Sequence, residues 1–152
     1  KKVLSSFVDK HTEDMGKIEE VEARLEFPLE KATATITGKV DVILKDNDTM
    51  EVRDYKTSDE VTSYEQASLQ LRLYTLGLRM LGKPITQASI AYLEKENPDE
   101  QLKKVEIKDQ DLENAKKIAR ECIKSILDKQ FKPKPQNGYC KHCDQKQICY
   151  VN

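Results

Sequence analysis

Apolar and polar residues alternate along the chain in patterns that predict a series of helices and strands. Apolar residues recur at helical spacing over 3–10, which predicts a short helix that the polar stretch 11–16 ends. Apolar and charged residues then alternate over 21–29, a period of two that is typical of a half-buried strand. The chain is therefore predicted to begin with a helix followed by a strand.

Two further strands are predicted, one over 33–44, which is rich in Thr, Val and Ile, and one over 50–57, where the strand pattern resumes. Turn-forming residues lie between them at 45–48, so the pair is predicted to form a β-hairpin. A two-residue loop in this hairpin places Asp41 directly opposite Asp54. A slip of one residue in the register would move Asp41 to the other face.

The second half of the chain predicts two helices and two strands. A helix over 64–81 ends at Gly82-Lys83-Pro84, strands follow over 85–94 and 103–108, and Asp109 is expected to cap a long final helix. The apolar face of that helix comprises Leu112, Ala115, Ile118, Ala119, Cys122, Ile126 and Leu127. This order predicts an α/β domain in which helices flank a mixed central β-sheet.

Length and charge narrow the class of protein. The 152 residues suffice for one hydrophobic core, and we expect a domain over 1–131 followed by a Pro-containing linker and Cys-rich tail over 132–152. A net charge of −1 gives no broad basic surface, so any contact with nucleic acid must be local. No stretch is typical of a membrane span or a signal peptide, which predicts a soluble, cytoplasmic protein. The first residues resemble the middle of a helix, so we expect a fragment of a longer protein.

Two carboxylates and a lysine share one face of the predicted hairpin. Asp41 and Asp54 stand in apolar strand sequence, and opposite positions would put their Cβ atoms roughly 5 Å apart. Lys56 follows Asp54 by two residues, so the strand pleat places its ammonium on the same face. Facing carboxylates beside a lysine favour a divalent-metal site for phosphodiester hydrolysis. The same residues also fit a solvated salt-bridge patch, and their spacing alone does not separate the two interpretations.

Three successive segments resemble the motifs of RecB-like PD-(D/E)XK nucleases. Residues 38–41 match the pattern G-x-x-D, residues 54–57 read D-Y-K-T, and residues 70–74 match Q-x-x-x-Y. The resemblance implies a restriction-endonuclease-like core in which Asp41 and Asp54 bind Mg²⁺ or Mn²⁺. It also implies that the backbone carbonyl of Tyr55 is a further ligand and that Lys56 is the catalytic lysine.

A polar stripe runs along the Leu-rich helix predicted over 64–81. Gln66, Gln70 and Tyr74 recur every four residues, which places them on one side of the helix. The family resemblance implies that Gln70 and Tyr74 line the active site and contact DNA or the water on the metal. In the alternative interpretation, Gln70 satisfies a buried strand carbonyl and Tyr74 packs in the core.

Three cysteines close to the C-terminus have the spacing of a metal or cluster site. Cys140, Cys143 and Cys149 form a C-x₂-C-x₅-C run, which predicts a reducing compartment. The run resembles the iron–sulfur subset of RecB-like nucleases and implies a [4Fe–4S] cluster whose fourth ligand precedes this sequence. Cys122 is expected to be a buried thiol of the last helix. A zinc site with His142 and three unliganded cysteines are the alternatives.

Two residues near the start of the chain are weaker candidates for the metal site. The family has a histidine on a helix before the first strand, but the neighbours of His11 do not match the usual pattern, so a surface histidine is expected. Glu26 is a further candidate ligand, although strand alternation also predicts an exposed glutamate.

The sequence thus predicts a metal-dependent DNA nuclease, with exonuclease and DNA-repair activities implied by the family. The resemblance implies the C-terminal module of a UvrD-like or AddAB-type helicase–nuclease in recombinational repair, with single-stranded DNA and helicase domains as partners. The alternatives are a stand-alone iron–sulfur nuclease of the CRISPR-adaptation type and a non-catalytic DNA-binding or scaffold module.

Overall fold

Five β-strands and their flanking helices make up the part of the protein that the structure describes. The computed structural model describes residues 2–29, 34–57, 63–130, 140 and 143–144. In chain order the elements are α1 (Lys2–Lys10), α2 (Thr12–Met15), β1 (Ile18–Pro28), β2 (Thr35–Asp46), β3 (Thr49–Lys56), α3 (Tyr64–Met80), β4 (Ile85–Tyr92), β5 (Leu102–Lys104) and α4 (Asp109–Leu127). A 3₁₀ turn, Pro98–Glu100, lies between β4 and β5.

The described strands form one mixed sheet in the order β1-β2-β3-β4-β5. Neighbouring strands are antiparallel except β3 and β4, which run parallel because α3 connects them. The observed sheet and helices confirm the predicted α/β class with a restriction-endonuclease-like core. β3 is the central strand.

The β2–β3 hairpin has the predicted register. Asp46 pairs with Thr49 and Val42 pairs with Arg53, with Asn47 at a positive φ of 54° in the two-residue turn. An asparagine tolerates this left-handed conformation better than most residues do. The ladder ends at the Val42–Arg53 pair, and Asp41 and Asp54 are the next residue on each strand.

α3 packs against one face of the sheet. Ser63 and Gln66 form a capping box that begins the helix, and Leu71 and Leu78 lie fully in the core. A Cβ atom on Gly77 would approach the Phe27 ring to 2.4 Å, so only glycine permits this close contact between α3 and β1.

The other face of β3 contacts the N-terminal helices. Successive strand residues point to opposite sides, so Arg53 and Tyr55 face away from Asp54 and Lys56. The Arg53 guanidinium binds Asp14 of α2, and the Tyr55 ring contacts Phe7 of α1. β3 therefore separates two environments: the α3 face, with Asp54 and Lys56, and the α1–α2 face, with Arg53 and Tyr55.

Several predicted boundaries are wrong. The stretch 11–16 contains α2 rather than only a turn, β1 begins at Ile18, and β5 ends at Lys104. Asp109 is the first residue of α4 rather than its cap, and the Asp111 carboxylate instead accepts a hydrogen bond from the Lys108 N–H. Short polar stretches lack the periodicity that would fix such ends in advance.

Only the first part of the predicted apolar face of α4 is buried. Leu112 and Ala115 lie in the core, whereas Ile118, Ile126 and Leu127 are exposed. Cys122 is also exposed, so the prediction of a buried thiol is wrong. Helical periodicity shows which face of a helix could be covered, but it does not show whether another element covers it.

Chain contacts divide the protein into two compact units, Lys1–Arg120 and Glu121–Asn152. The boundary falls within α4, before the predicted one at residue 131. Most of the second unit lies outside the described residues, so the linker and Cys-rich tail remain a prediction. Within the described part, no helix is both long and apolar enough to span a membrane.

Candidate active site

Asp41 and Asp54 lie at the end of the β2–β3 ladder. The Asp41 Oδ2 atom accepts a hydrogen bond of 2.8 Å from the Tyr55 backbone N–H, so this carboxylate takes the place of a backbone acceptor. Asp54 is only 3% exposed although it carries a carboxylate. The structure thus brings both predicted carboxylates to one position on adjacent strands.

Lys56 connects the carboxylates to α3. Its Nζ atom lies 2.7 Å from Asp54 Oδ2 and donates a hydrogen bond of 3.1 Å to Gln70 Oε1. Gln70 Nε2 donates in turn to the Tyr74 hydroxyl at 2.8 Å. The four residues therefore form one continuous polar chain. Gln66, the third member of the predicted stripe, belongs to the capping box instead.

Gly38 makes room for this polar chain. A Cβ atom at this position would lie 2.7 Å from Cε1 of the Tyr74 ring, closer than non-bonded carbons approach. The glycine of the G-x-x-D segment thus allows the ring of Tyr74 to lie against β2. This gives a physical reason for the glycine that the sequence pattern alone did not provide.

Asp54 is an incompletely compensated buried charge. Burial raises the pKa of its carboxyl, the Lys56 ammonium lowers it in part, and the negative charge of Asp41 raises it further. The Lys56 Nζ atom lies 2.7 Å from Asp54 Oδ2, but this ion pair offsets the burial of the carboxylate only in part, and the pKa of Asp54 stays raised. A buried carboxylate oxygen in this state favours a cation beside it.

The donor set fits a hard divalent cation. Within the described ranges, no group of three His, Cys, Asp or Glu residues could hold a metal ion. Mg²⁺ does not require such a group, since one or two carboxylates, water and substrate phosphate commonly complete its coordination. Asp41 and Asp54 supply two carboxylates, and the charge of Asp54 is compensated only in part by Lys56.

A second charged cluster lies on the α1–α2 face of β3 and was missed in the sequence. Arg53, 3% exposed, donates hydrogen bonds to Asp14 Oδ2 at 2.7 Å, Glu51 Oε1 at 3.0 Å and the Ser89 hydroxyl at 3.2 Å. Ser89 also donates to Glu51. The alternation of Glu51 and Arg53 resembled an exposed strand face, and nothing in the sequence indicated that Asp14 would cover it.

His11 is not the surface histidine that was expected. Only 14% of its side chain is exposed, and its buried Nε2 atom has no hydrogen-bond partner within the described part. Its ring lies 4.5 Å from that of Phe7, which in turn contacts the Tyr55 ring at 5.9 Å. Burial and the nearby Arg53 lower its pKa, and Asp14 only partly opposes them.

Glu26, the further candidate ligand, does not form a metal-binding group with Asp41 and Asp54 among the described residues. Glu26 is exposed on β1 opposite Thr37, while its neighbours Leu25 and Phe27 are buried. This placement agrees with simple strand alternation.

The iron–sulfur prediction concerns the second unit. Cys140 is half-buried and Cys143 is exposed, and no disulfide joins the described cysteines. Cys149 and His142 lie outside the described residues. The predicted [4Fe–4S] cluster therefore remains a prediction.

A family comparison agrees with this geometry. The model of the PD-(D/E)XK nuclease superfamily matches residues 1–150, nearly the entire chain. The chain belongs to the PD-(D/E)XK nuclease superfamily. Among curated protein sequences, none matches it.

Two solved structures share the fold. SSO0001 is similar with a TM-score of 0.54 and 18% sequence identity, over 97% of this chain and 67% of that one. A Eubacterium rectale protein provisionally named an exonuclease has a TM-score of 0.59 and 13% identity, over 99% of this chain and 60% of that one. At such low identity the similarity concerns the fold alone, and this chain spans about two thirds or less of each neighbour.

Proposed function

We propose that this chain is a divalent-metal-dependent nuclease domain that hydrolyses phosphodiester bonds of DNA. The observation that carries the proposal is the buried Asp54 carboxylate beside the charge of Asp41, whose burial the ion pair with Lys56 offsets only in part. Membership of the nuclease superfamily supports the same conclusion. In this proposal Asp41 and Asp54 hold Mg²⁺ or Mn²⁺, together with the backbone carbonyl of Tyr55.

In this proposal Lys56, Gln70 and Tyr74 have different roles in catalysis. A divalent cation, when bound, lowers the pKa of water and offsets negative charge on a phosphate. Lys56 directs an ammonium N–H toward the attacking water or a phosphate oxygen, where it stabilises the charge that develops. Gln70 fixes the Lys56 ammonium through its Oε1 atom, and Tyr74 fixes Gln70. α3 therefore orients the lysine that β3 supplies.

We further propose a RecB-like subtype within a helicase–nuclease of recombinational repair. The ordered segments 38–41, 54–57 and 70–74 support this assignment. In this proposal Cys140, Cys143 and Cys149 ligate a [4Fe–4S] cluster, which iron analysis and the visible absorption of anaerobically purified protein would test.

Metal binding and cleavage can be separated experimentally. We expect the wild-type protein to bind Mn²⁺, measured by calorimetry, and Asp41→Ala and Asp54→Asn each to abolish this binding. Lys56→Ala should retain Mn²⁺ binding but reduce cleavage of a single-stranded oligonucleotide by at least ~100-fold, as expected for loss of a group that stabilises developing charge.

Asp46→Asn is the matched control, because Asp46 is an exposed aspartate of the same hairpin that pairs with Lys17. It should bind Mn²⁺ and cleave like the wild type. Mn²⁺ binding that survives in both Asp41→Ala and Asp54→Asn would refute the proposed site.

A further inference from the structure

The backbone of Glu22, a residue of β1, has a conformation that is unusual for a strand. Its φ angle is 51°, in the left-handed region that residues with a side chain rarely adopt. Within the described ladder from Glu20 to Pro28, every β1 residue except Glu22 pairs with β2. The register on either side of this gap sets Glu22 opposite Asp41. The irregular position of β1 thus lies beside one of the two candidate metal ligands.

The side-chain alternation of β2 changes at the same position. Gly38 lies against Tyr74 of α3, so Val40, two residues further on, faces α3 as well. Ile43 pairs with Val52 on the α3 face of β3, and both are fully buried. Val40 and Ile43 therefore face α3 at a spacing of three residues, whereas a regular strand repeats its faces every two residues. The alternation of β2 shifts by one residue between them.

β1 shifts in step with β2. The Glu20 side chain lies on the α3 face because its partner is Ile43. Ala23 lies on the same face because its partner is Val40. A left-handed residue within a strand bends the chain and re-aims the side chains beside it, as in a β-bulge. Glu22 has this conformation and lies between Glu20 and Ala23, so it accounts for the shift of β1.

The shift explains why the Asp41 carboxylate reaches the backbone of β3. The β2–β3 ladder ends at the Val42–Arg53 pair, one residue before Asp41. Beyond this pair the Asp41 Oδ2 atom, rather than a β2 carbonyl, accepts a hydrogen bond of 2.8 Å from the Tyr55 N–H. On a regular strand a carboxylate projects above or below the sheet, so it does not reach the backbone of the neighbouring strand in this way.

We propose that the left-handed backbone of Glu22 positions Asp41 for metal binding. Glu22 is a positioning residue in this proposal, because it acts through β2 and does not touch the cation. Backbone strain of this kind persists only where the surrounding structure enforces it, and it is common at functional sites. The Glu22 carboxylate itself forms an ion pair of 2.8 Å with the exposed Lys39. The inference rests on the proposed metal site for its catalytic meaning.

Substitutions at residue 22 separate the backbone conformation from the side-chain charge. Glu22→Val introduces a β-branched residue, which strongly disfavours a positive φ. It should weaken Mn²⁺ binding, measured by calorimetry, by at least ~10-fold, as loss of a group that orients a metal ligand does. Glu22→Asn removes the charge but tolerates the left-handed conformation, so it should bind Mn²⁺ like the wild type.

Amide hydrogen exchange at Tyr55 reports the position of Asp41 without metal. In EDTA the Tyr55 N–H should exchange at least ~10-fold faster in Glu22→Val than in the wild type, because its hydrogen bond to Asp41 is lost. The Val52 amide, in the part of β3 that pairs with both neighbours, is the reference for global unfolding. A purely structural role of Glu22 would change the exchange of both amides equally.

Arg24→Val is the matched control, because Arg24 is an exposed residue of the same strand that pairs regularly with Lys39. It should leave the Mn²⁺ affinity and the Tyr55 exchange rate at their wild-type values. If Glu22→Val fails to fold, Glu22→Gly and Glu22→Ala keep the test valid. The glycine variant should melt about 3 °C above the alanine variant, because only alanine is strained at a positive φ. In a regular strand, glycine would be the less stable of the two.

Failure of this inference can be distinguished from failure of the metal site. Wild-type Mn²⁺ affinity and Tyr55 exchange in Glu22→Val, or a glycine variant that melts below the alanine variant, overturn the role of Glu22 even where the wild type binds Mn²⁺. A wild type that binds no Mn²⁺ overturns the metal site. Faster exchange of Tyr55 in Glu22→Val, relative to Val52, would even then support the positioning of Asp41 by Glu22.

Discussion

Arg53 and Asp54 are adjacent on β3, and both are 3% exposed. Nearby charges offset their burial to different extents on the two faces of the strand. On the α1–α2 face, burial lowers the pKa of Arg53, but Glu51 and Asp14 more than compensate and the pKa is raised. On the α3 face, burial raises the pKa of Asp54, and Lys56 compensates only in part.

The extent of compensation distinguishes the structural charge of Arg53 from the functional charge of Asp54. A buried charge that is paired and fully hydrogen-bonded holds elements together, and Arg53 joins α2 to β3 and β4 in this way. A buried charge that lacks full compensation persists at a cost to stability, which is typical of functional sites. Loss of the Arg53 charge should therefore lower the free energy of unfolding. Loss of the Asp54 charge should instead raise the free energy of unfolding and abolish activity.

Replacing Arg53 tests the structural face and should have the largest effect on stability. Arg53→Met removes the guanidinium and leaves Glu51 and Asp14 without their cation, which should lower the free energy of unfolding by ~3–5 kcal/mol. Chemical denaturation measures this change. Lys39→Met, at an exposed ion pair, should change it by less than ~1 kcal/mol. Equal losses of unfolding free energy in Arg53→Met and Lys39→Met would contradict the structural role of Arg53.

Gly38→Ala tests the packing that supports the α3 face. The new Cβ atom would meet the Tyr74 ring at 2.7 Å, so we expect a loss of ~1–3 kcal/mol in unfolding free energy and weaker cleavage as Tyr74 shifts. Gly16→Ala is the matched control, because its φ of −71° suits alanine and the nearest atom lies at 3.8 Å. Thermal melts and cleavage rates should separate the two variants. A Gly38→Ala protein with wild-type stability and activity would contradict the proposed role of Gly38.

Asp54→Asn should raise stability while it abolishes metal binding. Because the folded-state pKa of Asp54 is raised, its stabilising contribution is complete below the ordinary value of 3.8 and is lost as pH rises through the folded-state value. In EDTA at pH 7, the asparagine variant should therefore be more stable by about 1 kcal/mol. The gain should vanish in acid. If Asp54→Asn instead lowered the free energy of unfolding at pH 7, the Lys56 ammonium would fully offset the burial of the Asp54 carboxylate.

His11 should give the smallest effect, seen only as a dependence on pH. The surrounding charges are Lys10 on α1, Asp14 on α2 and Arg53 on β3, and the net shift lowers its pKa below 6.5. Stability from neutral His11 is thus present above 6.5 and is lost as pH falls through the lower folded-state pKa. Wild-type protein should lose stability on acidification relative to His11→Gln. Parallel pH profiles of unfolding free energy for the wild type and His11→Gln would contradict the lowered pKa of His11.

The sequence was most informative where pattern and turn chemistry agree. The two-residue turn at Asn47-Asp48 predicted the register of the β2–β3 hairpin, which ends one pair before Asp41 and Asp54. The polar stripe predicted Gln70 and Tyr74 on one side of α3. The Arg53 cluster could not be predicted, because Asp14 lies far away in sequence and its contact exists only after α2 packs. Exposure of Ile126 likewise depends on neighbouring elements, which helical periodicity does not describe.

The central position of β3 affects how the site moves. β3 pairs with β2 over Thr49–Arg53 and with β4 over Met50–Lys56, so the amides of the doubly paired part should exchange with deuterium only when the sheet opens as a whole. Asp54 and Lys56 follow on the part of β3 that pairs with β4, where the Asp41 carboxylate binds the Tyr55 N–H in place of a β2 carbonyl. On heating, the metal-binding geometry should disappear together with the entire fold rather than before it.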